Sequence, residues 1–229
     1  MEYKLISDLP KYCACGNKNN VNHSLDCKKG GYVNMRHNAL RDTEANLLRE
    51  VCKDVSIEPV LLPVNAENFS SSTNTQPGAR LDISARGVWS AFERSFFDVR
   101  VTHPNCSSNV FKALPDLYKQ HENEKKRMYA QRVLESEKGS FTQLVYTTSG
   151  GMGPECSRFH KKLAELISDK RNEKYALVIN YIRTRLRFAL LRSILISVRG
   201  ERGKINFCTE NLNEVSYNLI PHVNSYEVP

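Results

Sequence analysis

The sequence predicts an α/β fold, a mixed sheet with helices on both faces, and three observations carry the prediction. First, Ala79–Val101 alternates twice: Leu81, Ile83 and Ala85 with Arg80, Asp82 and Ser84, then Phe97, Val99 and Val101 with Phe96, Asp98 and Arg100. Side chains two apart on a strand share a face, so this is a pair of strands with one apolar and one polar side. Second, the elements run helix, strand, strand, strand, helix, strand, helix, helix. A three-strand meander that passes through a helix to a further strand makes a mixed sheet. Third, the 229 residues are 40% hydrophobic, enough for one domain with a core and a small appendage. The expected division is a cluster segment at 1–35, an α/β core at 36–170, a C-terminal helix at 171–203 and a tail at 204–229.

Residues 13–27 read CACGNKNNVNHSLDC, which spaces Cys13, Cys15, His23 and Cys27 as C-x-C-x7-H-x3-C. Four thiol and imidazole ligands so close together suit one tetrahedral zinc ion. The loop is too short to bury a core, so the metal would supply its folding energy. Four protein ligands leave no open position, which makes the expected role structural.

From about Asn38 the helical period returns, with Leu40, Leu47, Leu48 and Val51 on one stripe. His37 and Glu44 fall on that stripe. An acid on an apolar face is costly without a partner, so Glu44 either sits at the stripe's edge and snorkels, pairs with an arginine, or points towards a metal. Arg36 and His37 precede the first predicted turn, where they could contact a phosphate or the carboxylates. Val55–Val64 is the next predicted strand, and it places Glu58, before Pro59, on the face opposite Val55 and Ile57. Asn65–Gly78 is Ser- and Asn-rich and reads as a mobile loop. In the strand pair that follows, Asp82 sits on the polar face of one strand and Asp98, beside Arg100, on the same face of the next. Two converging carboxylates form the oxygen-rich kind of site that holds Mg²⁺ or Mn²⁺.

His121–Glu137 is a charged helix whose Lys125, Lys126, Arg127 and Arg132 offer a basic face, which is solvated, lines a phosphate track, or places one lysine near the metal. Phe141–Thr148 is a strand. SGGMGPE then turns into a helix ending near Lys170; it matches neither G-x-G-x-x-G nor the Walker pattern, so a strand-to-helix turn is expected. The last helix, from about Asn172 to Arg199, carries an apolar stripe at Val178, Ile182, Leu186, Ala189 and Leu190. Arg185, Arg192 and Arg199, seven apart, share a face that either meets a nucleic-acid backbone or keeps the helix soluble. Its four internal arginines argue against a membrane span.

Net charge is +8 and the pI about 9.1, which favours a polyanionic partner: nucleic acid first, DNA or RNA, and an anionic membrane surface second. Seven irregularly placed cysteines are not a secreted disulfide framework. No apolar signal segment opens the chain. The expected location is therefore a reducing compartment, nuclear or cytoplasmic.

Taken together, the motifs resemble the restriction-endonuclease-like, or PD-(D/E)XK, nucleases. More narrowly, they are similar to the endonuclease region at the C-terminus of non-LTR retrotransposon reverse-transcriptase polyproteins. That region orders a Cys/His zinc cluster, an Arg-His helix start, a Glu-Pro strand, an (Arg/Lys)-Pro-Asp strand, an acidic strand and a Lys-bearing helix ending in Tyr. The counterparts here are Cys13/Cys15/His23/Cys27, Arg36–His37, Glu58–Pro59, Arg80–Leu81–Asp82, Asp98, and Lys125 four before Tyr129. The resemblance implies that Asp82 and Asp98 hold a divalent metal, with Glu58 or Glu44 as accessory acid. It implies Lys125 or Arg100 as the cation beside the attacked phosphate, and DNA phosphodiester hydrolysis as the reaction. Two positions depart from the pattern. Leu81 replaces the proline, and Arg100 replaces the lysine two after the second acid. Arginine does not deprotonate in proteins, so it cannot shuttle a proton. The alternative expectation is a zinc-stabilised nucleic-acid-binding module with weakened or lost cleavage.

Overall fold

The computed structural model describes residues 10–200, and the expected tail at 204–229 lies outside them. The fold is α/β, a four-stranded mixed sheet flanked by helices. The elements are α1 (Val21–Asp26), α2 (Tyr32–Arg49), β1 (Lys53–Ile57), β2 (Ile83–Arg86), β3 (Arg94–Thr102), α3 (Leu114–Arg132), β4 (Ser140–Thr147), α4 (Pro154–Arg171) and α5 (Tyr175–Arg199). The strands lie in the order β1-β2-β3-β4. The first three pair antiparallel and β4 runs parallel to β3, as the meander-then-helix order requires.

Alternation sorts the two faces. Ile83, Ala85, Phe97, Val99, Leu144 and Tyr146 join residues of α2, α4 and α5 in the main core. Phe96 faces the other way and packs with Leu61, Leu81, Tyr129 and Val133, under α3. Arg132, at the end of α3, is fully buried. It donates to the carbonyls of Asn74 (2.6 Å), Gln76 (3.2 Å) and Leu62 (2.9 Å), so it ties the C-terminal part of the polar segment expected to be mobile to the chain just before that segment.

Several boundaries differ from expectation. α2 begins at Tyr32, behind Gly30 and Gly31 with positive φ, so Arg36 and His37 lie inside the helix. β1 ends at Ile57, where the expected strand ran to Val64. Glu58 takes a left-handed backbone (φ 51°) immediately before Pro59, which breaks the regular ladder; the pairing goes on irregularly through Leu81 N–H to Pro59 C=O (3.3 Å) and Leu61 N–H to Ala79 C=O (2.9 Å). α3 begins at Leu114, with Pro115 in its first turn, and closes in a π-helical turn at Val133–Glu137. α1, in the middle of the Cys/His stretch, had no periodicity to announce it.

Candidate functional site

The Cys/His stretch is shaped to bring its ligands together. Cys13 and Cys15 sit on a tight turn closed by Gly16 N–H to Cys13 C=O (2.8 Å), with Gly16 at φ 90° where a side chain would be strained. The Asn20 side chain caps α1 by accepting from His23 N–H, and the Cys27 N–H donates to His23 C=O. The short helix thus presents His23 and Cys27 on one side. Cys13 Sγ lies 3.8 Å from Cys27 Sγ, and Cys15 Sγ lies 3.2 Å from His23 Nε2. All four ligand atoms fall within 4.8 Å of one another. Two thiolates on a tetrahedral ion with Zn–S of about 2.3 Å stand roughly 3.8 Å apart, so the spacing fits a metal such as zinc. Among the described residues this is the only such grouping of three or more Cys, His, Asp or Glu side chains. The chain purified without chelator is expected to carry about one zinc, and Cys27→Ser to lose it and open residues 13–27 to protease. Metal analysis finding well under one zinc would refute the assignment.

A second site forms where the sheet forks. β4 accompanies β3 along its whole length, from Ser95 to Thr102, but β2 starts at Ile83 opposite Phe97. Continuing that antiparallel register places Asp82 opposite Asp98 on the face shared with Phe96. Asp82 closes the fork: its N–H donates to Phe97 C=O (3.1 Å), and its Oδ2 accepts from Val99 N–H at 2.6 Å. Its other oxygen, Oδ1, lies 3.1 Å from His37 Nε2 on α2. Asp98 is buried, and Lys125 reaches its Oδ1 from α3 at 3.0 Å. Asp82, Asp98, His37, Arg100 and Lys125 line one open cleft of about 350 Å³.

The electrostatics are those of a crowded polar site. Burial pushes the Asp98 carboxyl above its ordinary value; Lys125 opposes that shift and the charge of Asp82 adds to it. Burial works to lower Lys125, but the charge and hydrogen bond of Asp98 outweigh it, so the ammonium is held. His37 is likewise pulled down by burial and raised overall by Asp82. Arg100 is anchored by Glu124, 3.0 Å from its Nη1.

Other expected site residues lie elsewhere. Glu44 is fully buried on the opposite face of the sheet, where it accepts from Tyr146 Oη and lies 2.6 Å from His160 Nε2. It took a partner inside the core, and it does not reach the cleft. Glu58 shares the row of Asp82 by register, but its left-handed backbone turns it to Arg41 (2.5 Å) and Arg80 (3.7 Å), outside the cleft lining. Arg36 is buried and donates to Leu25 C=O (2.9 Å), so it clamps α1 to α2 and offers nothing to a phosphate. Lys126 is paired with Glu155. At the start of α4, Glu155 N–H is capped by Glu122 Oε1 (3.1 Å), which closes that helix end to a phosphate as well. Arg185, Arg192 and Arg199 lie on α5, which packs on α2 and α4, the layer opposite α3.

Two residues not singled out from the sequence belong to the cleft's surroundings. Glu124 fixes Arg100. Gln143 is fully buried, pairs in register with Asp98, lies beside its carboxylate and makes no well-formed hydrogen bond of its own. The signal for Gln143 was present in FTQLVYTT, where a glutamine occupies an otherwise apolar strand position. The chain matches no family model and no curated protein.

Proposed function

We propose that this chain is a divalent-metal-dependent DNA endonuclease with a restriction-endonuclease-like core, stabilised by a structural zinc cluster and derived from a retrotransposon polyprotein. The observation that carries the reading is the opposition of Asp82 and Asp98 at the fork of the sheet, with Lys125 on Asp98. Magnesium keeps most of its waters and binds through one or two carboxylates plus substrate phosphate, so two aspartates suffice. Asp82 and Asp98 would hold Mg²⁺ or Mn²⁺, which when bound supplies an activated water and stabilises charge building on the phosphate. Lys125 places an ammonium in the same cleft, where it steadies the attacked phosphate. Arg100, oriented by Glu124, is suited to grip a phosphate oxygen through two N–H donors. His37, itself part of the cleft lining, fixes the Asp82 carboxylate through Oδ1. The net charge of +8 favours approach of the polyanion.

The test is nicking of supercoiled plasmid on addition of Mg²⁺ or Mn²⁺. Lys125→Met is expected to lower the rate at least about a hundredfold, as loss of a charge-stabilising donor does. Arg100→Met is expected to weaken DNA binding more than turnover. Arg100, where the motif wants lysine, favours one other reading. If the chain binds DNA with a steep salt dependence and nicks with neither metal, it is a binding module and the hydrolase reading fails.

A further inference from the structure

α5 has two apolar sides. Val178, Ile182, Leu186 and Leu190 are buried against α2 and α4. On the opposite side Leu177 (62% exposed), Phe188 (67%), Leu191 (51%) and Leu195 (46%) stand in solvent. These outward residues follow a heptad seam, with Phe188 and Leu195 at one core position and Leu177, Thr184 and Leu191 at the other; Tyr181, next in the first row, is half-buried against the main core beneath Arg171 and Arg185 and ends that row. A helix of 25 residues is about 37 Å long, so the seam has the length of a coiled-coil partner's footprint. Arginines flank it on both sides: Arg185 and Arg192 follow one core position, and Arg187 precedes the other. Arg187 and Arg192 are exposed. α5 contains no acidic residue at all.

We propose that the outer face of α5 is a docking surface for an acidic amphipathic helix of a partner protein. Such a helix would bury its apolar stripe on Phe188, Leu191 and Leu195 and set its flanking carboxylates on Arg187 and Arg192. The charges select this occupant. In a parallel pair of α5 helices Arg187 would meet Arg192 of the other copy, and in an antiparallel pair each would meet its own like. Self-association is therefore repelled, whereas an acid-flanked helix is attracted. A nucleic-acid backbone would satisfy the arginines and leave the apolar seam between them uncovered. The inference is independent of the proposed hydrolysis, since the seam shares no residue with the cleft.

The probe is a synthetic three-heptad peptide with leucine and isoleucine at its core positions and glutamate on both flanks. Its control is the same peptide with lysine on the flanks, and both are titrated against the full chain by fluorescence anisotropy. The acidic peptide is expected to bind at least about tenfold tighter than the basic one. Phe188→Glu with Leu191→Glu should abolish binding while leaving every arginine in place and plasmid nicking unchanged. Arg187→Glu with Arg192→Glu should reverse the preference to the lysine-flanked peptide. Equal binding of the two peptides, no binding of either, or binding that survives the Phe188/Leu191 change overturns the proposal. So does sedimentation as a dimer that Phe188→Glu dissociates, because a second copy would then cover the face.

Discussion

Asp98→Asn is expected to reduce metal-dependent nicking by at least about a thousandfold with only a small change in melting temperature. The loss follows from removing one of the two carboxylates proposed to hold the ion; the remaining Asp82 is already committed through Oδ2 to Val99 N–H and through Oδ1 to His37. Two opposing effects keep the stability change small. The folded value of Asp98 lies above the unfolded one, so its ionised form costs stability as pH rises from about 4 through the folded value, and a neutral amide of the same shape avoids that cost. Against this, the amide takes from Lys125 the charge that holds its ammonium in the cleft. Asp82→Asn should lose as much activity but also some stability, because its carboxylate caps the strand edge that β2 leaves open. Nicking at native rates by either variant would place the chemistry elsewhere, and a collapse in the Asp98→Asn melting temperature would mean that the aspartate serves the fold.

Glu44→Ala is expected to be the most destabilising substitution in α2, by about 3–5 kcal/mol, because it strands His160 and Tyr146 in the core. Both partners are nearly or fully inaccessible. Burial resists charge on His160, but the neighbouring Cys156 and Glu44 outweigh it and hold the imidazole well above its ordinary value. A group bound more tightly to its proton in the folded state contributes fully below its unfolded value, near 6.5. The contribution fades as pH rises through the folded one. Urea titrations should therefore show native stability declining above about pH 6.5, with a smaller decline in Glu44→Ala. The fraction of Glu44→Ala that stays folded should nick DNA at the native rate. A defect in turnover that outruns the defect in folding would return Glu44 to the catalytic site.

The contrast between Asp98 and Glu44 marks how far one-dimensional pattern reaches. Alternation alone put Asp82 and Asp98 on the polar side of adjacent strands, because the period of two is fixed by the backbone and survives any tertiary arrangement. The C-x-C and H-x3-C spacings likewise placed four ligands within reach, because the turn at Gly16 and the single cycle of α1 are local structures. The order of elements was enough for a mixed sheet. Helical period also showed that Glu44 shares a stripe with Leu40 and Leu47. It could not show which layer that stripe would meet.

Only the tertiary structure decided the rest. Glu44 and His37 lie seven residues apart on one helix, yet one meets a histidine in the core and the other reaches round the end of the sheet to Asp82. What separates them is where α2 crosses the strands, a property of packing between distant elements. Glu58 was turned from the cleft by a left-handed residue before proline, Arg36 was taken by a carbonyl of α1, and Lys125 faced inward while Lys126 paired with Glu155. In each case a charged side chain had several partners in reach, and its backbone neighbours, fixed by long-range contacts, chose among them. The residue types that could do chemistry were visible in the sequence. Which of them share a cleft was set by where the sheet forks and which helix lies over the fork.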